Sequence, residues 1–126
     1  MTIIEEKYKD IQKLADEYRK TIPAETTRSV EYLVNKIYNS PAPRYYISHL
    51  RIKNIISQIH NNKFKINKLD IKYKMYMEIY NKWLDYIKEN NLINNFQKYK
   101  CLDIILETEA SSFFITKGRI QQLLYK

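Results

Sequence analysis

Ser40–Ile59 reads S-P-A-P-R-Y-Y-I-S-H-L-R-I-K-N-I-I-S-Q-I, and its grammar returns near the C-terminus. A shift of 68 positions lays Ala42-Pro43-Arg44-Tyr45-Tyr46-Ile47-Ser48 over Ala110-Ser111-Ser112-Phe113-Phe114-Ile115-Thr116. Beyond these, Arg51 and Ile52 fall on Arg119 and Ile120, and Ile55-Ile56 on Leu123-Leu124. In both stretches two aromatics and an isoleucine lead into a Ser or Thr, followed by apolar residues at helical spacing. A Ser or Thr there is a preferred N-cap, because its oxygen accepts one of the orphan N–H groups of the first turn. Working backwards, Leu33–Tyr38 lies over Cys101–Leu106 with aliphatics at the second and fifth places. The unit is therefore helix, linker, aromatic pair, capped helix, with copies at about 26–60 and 94–126. An offset of 68 exceeds the roughly 20–50 residues of a solenoid repeat, so a duplicated unit sharing one core is expected.

The remaining segments read as helices too. Ile4, Tyr8, Ile11, Leu14-Ala15 and Tyr18 predict a first helix over 3–20, acidic early and basic late as the helix dipole favours. Pro23 ends it and serves as an early residue of a second helix, 24–38, with the face Val30, Leu33-Val34, Ile37-Tyr38. Asn39–Ile47 is an extended linker, and Ser48 starts a third helix that Asn61-Asn62 closes. Residues 63–68, K-F-K-I-N-K, form a basic loop with Phe64 and Ile66 tucked inwards. Asn67 is expected to cap the longest helix, 68–89, on the face Leu69, Tyr73, Tyr76-Met77, Tyr80, Trp83-Leu84, Ile87. A fifth helix is placed near 92–108 through Leu92, Ile93, Phe96, Tyr99, Leu102 and Ile105-Leu106, and a sixth over 117–125. The expected fold is all-α, a compact single-domain bundle of about six helices over residues 1–126. One glycine and three prolines leave little turn chemistry for an all-β alternative.

Composition narrows the function classes. The apolar share of 44% and the charged share of 29% fit a globular chain, with no run near the ~18 apolar residues of a membrane span. The start M-T-I-I-E-E-K-Y is acidic where a signal peptide would be basic and then apolar. A lone cysteine, Cys101, suits a reducing cytoplasm and reads as a structural thiol beside Leu102. With Gly118 as the sole glycine there is no phosphate-cradling loop or dinucleotide fingerprint. His49 and His60 have no acid or cysteine at a recognised zinc spacing. No catalytic residue, no metal site and no cofactor is assigned.

The net charge of +8 is segregated. Residues 44–74 carry Arg44, Arg51, Lys53, Lys63, Lys65, Lys68, Lys72 and Lys74 against Asp70 alone, whereas both flanks are nearly balanced. Coding bias would enrich lysine everywhere; it would not clear acids from one segment. These eight residues are the candidate nucleic-acid-binding set, since Lys and Arg neutralise phosphate and release counterions. Tyr45, Tyr46 and Phe64 are read as core, with base stacking as their alternative. The partner is expected to be nucleic acid, DNA before RNA, or else an acidic protein surface. A homo-oligomer is compatible with both.

Pro41–Ser48, P-A-P-R-Y-Y-I-S, and Glu109–Thr116, E-A-S-S-F-F-I-T, resemble a motif of the form P-A-P-x-[FY]-[YF]-[VIL]-[ST]. It belongs to a group of small, uncharacterised proteins of Bacteroides-type bacteria and their phages, where it often occurs twice. The second copy here lacks both prolines. The resemblance covers about half the chain and implies a phage or mobile-element setting, in the host cytoplasm or a virion. The expectation is a non-enzymatic DNA-binding protein for packaging, replication or regulation. The alternative is a virion component or adaptor using the same basic surface.

Overall fold

The computed structural model describes residues 1–21 and 29–125, and among these the chain is all-α. Seven helices follow in order: α1 Ile3–Arg19, α2 Ser29–Tyr38, α3 His49–His60, α4 Ile71–Glu89, α5 Asn95–Lys100, α6 Leu102–Leu106 and α7 Lys117–Leu124. The expected start of the second helix, with Pro23, lies outside the described residues. No described helix is long and apolar enough to cross a membrane.

The chain divides into two compact units, Met1–Ala42 with Ala110–Lys126, and Pro43–Glu109. In the first, α2 packs on α7 and α1 packs on both. Its core contains Ile11 and Ala15 of α1, Leu33, Val34 and Ile37 of α2, and Ile120 and Leu123 of α7. Ala42 and Ala110 exchange both backbone hydrogen bonds, at 3.0 and 2.9 Å, as an isolated antiparallel bridge. Each alanine is only 1% exposed, so the methyl is about all the side chain this crossing admits. In the second unit α3 packs on α4 and α6, and α4 on α6. Its core holds Ile52, Ile55 and Ile56, then Met75, Tyr76, Ile79 and Trp83, and Leu102, Ile105 and Leu106.

Positions 68 apart have matching places in the two units. The N-caps pair as Thr2 with Asp70 and Ser48 with Thr116. Buried positions pair as Ile11 with Ile79, Ala15 with Trp83, Val34 with Leu102, Ile37 with Ile105, and Ile52 with Ile120. Tyr45 and Phe113 are both buried, as are Ile47 and Ile115. The correspondence takes in α1 and α4, beyond the copies at 26–60 and 94–126. Those copies also do not coincide with the units. The first copy gives α2 to one unit and α3 to the other, and the second gives α5 and α6 to one and α7 to the other.

The capped starts follow the sequence reading. Ser48 Oγ accepts from Arg51 N at 3.2 Å, and Thr116 Oγ1 from Arg119 N at 3.2 Å. Ser48→Ala and Thr116→Ala are each expected to cost about 0.5–2 kcal/mol, read as lower urea midpoints with unchanged slopes. Midpoints equal to wild type would show that neither bond holds its helix.

Three expectations are corrected. The long helix starts at Ile71 on an Asp70 cap, whose carboxylate accepts from Lys72 N at 2.8 Å. Asn67 instead accepts from Leu69 N at 2.9 Å, a local turn that leads the chain up to the cap. Leu69 therefore precedes the helix and is 89% exposed. The buried stripe of α4 runs through Met75, Tyr76, Ile79 and Trp83, rotated by about one residue from the stripe drawn through Tyr73, Tyr80 and Leu84. The single helix near 92–108 is two short ones that meet at Cys101, with Ile93 86% and Phe96 70% exposed.

Candidate nucleic-acid interface

All eight expected site residues belong to the Pro43–Glu109 unit. They do not form one set. Arg51 and Lys53 lie in the first half of α3, and Arg44 in the linker before it. Lys63, Lys65 and Lys68 lie in the loop after α3, and Lys72 and Lys74 in the first turn of α4. Lys53 lies seven residues, about 10 Å of helix, before the end of α3, which sets Arg44, Arg51 and Lys53 apart from the loop lysines.

Arg44 has a structural task. Its guanidinium lies 3.4 Å from Glu107, its Nε donates to Tyr45 O at 3.3 Å, and it sits 5.7 Å from the Tyr46 ring centroid. The side chain is only 19% exposed, so its charge is largely committed to that linker. Lys53 is exposed, with Nζ 5.9 Å from the Tyr99 ring centroid.

The other group is more open. Lys63, Lys65, Lys68, Lys72 and Lys74 are all exposed, while Phe64 and Ile66 alternate with them as half-buried anchors. Phe64 meets Tyr76 edge to face, with centroids 5.8 Å apart at 81°. Short apolar anchors thus hold a loop whose intervening lysines face water. The charge of Lys72 and Lys74 at the start of α4 runs against the helix dipole, whose N-terminal end is positive. That first turn contains no acidic residue. The matching turn of α1 carries Glu5 and Glu6, the arrangement the dipole favours. By the 68-residue correspondence Lys72 stands where α1 has Ile4, and Lys74 where it has Glu6. Packing of this helix does not require lysine at either place.

The aromatics settle by burial. Tyr45 is 1% exposed and its ring carries Lys82 Nζ at 4.8 Å from the centroid, so it is core. Burial first, and the neighbouring Glu78 carboxylate second, hold its hydroxyl well above the usual phenol range. The folded state thus retains this proton more tightly than the unfolded state does. Its contribution is complete below the unfolded tyrosine value of about 10 and is lost as pH rises beyond it. Urea unfolding between about pH 9 and 11 should show stability falling with pH, and Tyr45→Phe should flatten that fall. An unchanged profile in the variant would assign the loss to other groups.

Burial also pushes the Cys101 thiol up, and its Sγ lies 2.9 Å from Lys98 O, which suits the structural role assigned to it. Among the described residues no group of three or more His, Cys, Asp or Glu side chains is placed to hold a metal ion.

Sequence reading missed a second feature. His49, Lys53, Phe96, Tyr99, Lys100 and Asp103 border a cavity of about 370 Å³. Asp103 Oδ1 approaches His49 Nδ1 to 2.5 Å, without the alignment of a hydrogen bond. Lys100 lies outside the segment of charge excess, and the apolar spacing assigns Phe96 to a buried face, so neither signals a site. Set against known proteins, the chain is matched by no family model, no curated protein and no solved structure.

Proposed function

We propose that this is a non-enzymatic DNA-binding protein that holds phosphate through the loop after α3 and the first turn of α4. The observation that carries the reading is Lys63, Lys65, Lys68, Lys72 and Lys74, all exposed along the loop after α3 and the first turn of α4, where Lys72 and Lys74 oppose the dipole. A surface that concentrates like charge against its own helix is stabilised by an anion laid across it. Phosphate is the anion that nucleic acid supplies at regular spacing, and such contacts carry little sequence information. The motif resemblance supports a phage or mobile-element setting, with packaging, replication and regulation as the roles that fit. The matching helices and caps 68 residues apart support a duplicated unit, with the basic loop, 63–68, in the link between α1–α3 and α4–α7.

A second reading rests on Leu69, 89% exposed among the lysines. An acidic protein partner with an apolar contact would cover it, as in a virion component or adaptor. Binding of the full chain to duplex DNA across graded salt separates the two. Affinity that falls steeply and linearly on log scales supports the first reading. Absence of binding to duplex or single strands at about 50 mM salt overturns it in favour of the second.

A further inference from the structure

Phe96 is 70% exposed and borders an open cavity of about 370 Å³. A volume of roughly 300–1,000 Å³ is that of a small-ligand site. Its chemistry is specific: flat rings with ammonium groups beside them. Lys53 Nζ lies 5.9 Å from the Tyr99 ring centroid and Lys100 Nζ 5.5 Å from that of Phe96. Tyr99 is backed by Trp83, with rings stacked at 5.4 Å and 29°, which makes it a rigid wall.

Packing does not account for these choices. By the 68-residue correspondence the other unit has Gln121 in the place of Lys53 and Glu31 in the place of Tyr99, both exposed. The same helix arrangement forms there with neither lysine nor tyrosine at those two places. We propose that the cavity binds one nucleotide of an unpaired DNA strand, its base against Phe96 and Tyr99 and its phosphate on Lys53 and Lys100. Aromatic faces accept any base, and the lysines track the backbone. Asp103, against His49, repels phosphate from that end and leaves it to an N–H-bearing edge of a base. A paired base, stacked within a duplex, cannot enter. The inference rests on the DNA-binding reading and adds an unpaired-strand site to its phosphate surface.

The test uses the full chain with a labelled thymidine strand of about ten nucleotides, the matching uridine strand and a DNA hairpin duplex. Anisotropy reports affinity, and Trp83 fluorescence reports occupancy of the cavity through Tyr99. Phe96→Ala should weaken thymidine-strand binding roughly 5- to 150-fold, the loss of one stacked base, and leave hairpin affinity unchanged. Lys53→Gln with Lys100→Gln should flatten the salt dependence for the strand. A parallel loss on the uridine strand supports the site for either sugar; a loss confined to uridine overturns the DNA assignment. If Phe96→Ala binds the thymidine strand like wild type while hairpin binding persists, the cavity proposal falls and the phosphate surface stands. If wild type binds no nucleic acid, both fall. Equal urea midpoints for Phe96→Ala and wild type confirm that the variant is folded.

Discussion

Trp83→Ala is expected to lower stability by about 3–5 kcal/mol, enough to unfold much of the Pro43–Glu109 unit. The indole is 2% exposed, its Nε1 donates to Lys98 O at 2.6 Å, and it bridges α4 to α5. Tyr99 stacks on one side, His60 meets it edge-on at 5.4 Å, and Tyr80 tilts against it at 5.9 Å. The matching position on α1 is Ala15, also fully buried, which raises the question whether alanine could serve in α4. It would not, because the surroundings differ. Tyr80 and Tyr99 correspond to Gln12 and Glu31, so this unit has built an aromatic cluster around the indole. Removing it leaves a cavity lined by rings that cannot collapse into it, and takes from Lys98 O its indole donor. Urea unfolding followed by circular dichroism measures the loss, and native Trp83 fluorescence should be blue-shifted from that of the unfolded chain. A destabilisation under about 1 kcal/mol, or a water-exposed native emission maximum, would overturn the assignment of Trp83 to the core.

Helix starts were the most legible part of the sequence, because a cap is a local event. Ser48 and Thr116 each need only their own next turn, and both caps form. Helix ends at Asn61 and Asn90 are local in the same way: the following Asn62 and Asn91 take positive φ, which asparagine tolerates better than most residues. The face of α4 was harder. Its tyrosines at 73, 80 and 86 count as apolar in any periodicity, yet all three are half-buried, at the border of the core. Met75 and Ile79 take the centre instead. The break between α5 and α6 leaves no sequence signal, since Cys101 is neither proline nor glycine; the kink belongs to tertiary packing. The basic loop was legible because charge segregation is a property of the sequence alone. The cavity was not, because it draws His49 and Lys53 from α3 and Phe96, Tyr99, Lys100 and Asp103 from α5 and α6.

Replacing Lys63, Lys65, Lys68 and Lys72 with Gln should weaken binding to every duplex sequence alike. It should also flatten the slope of log affinity against log salt by up to about 0.9 for each phosphate that lysine no longer neutralises. Uniform weakening follows because phosphate contacts carry no base information. The fold should persist: all four side chains are exposed, and glutamine at position 72 relieves an unfavourable charge at the start of α4. A control must remove the same charge elsewhere without disturbing structure. Lys9, Lys13, Lys20 and Lys88 are exposed and serve; Lys7 does not, because its Nζ reaches Phe114 O at 3.4 Å. If net charge alone attracted DNA, both quadruple variants would lose affinity and slope to a similar degree. A localised surface predicts that the first variant loses both while the control keeps nearly the wild-type slope, because its charges never touch phosphate. The slope is the deciding observable. Long-range attraction changes affinity broadly, but released counterions are counted only where lysine replaces them at the strand. Equal slopes in the two variants would move the binding surface away from the loop after α3 and leave its lysines as solvent-facing charge.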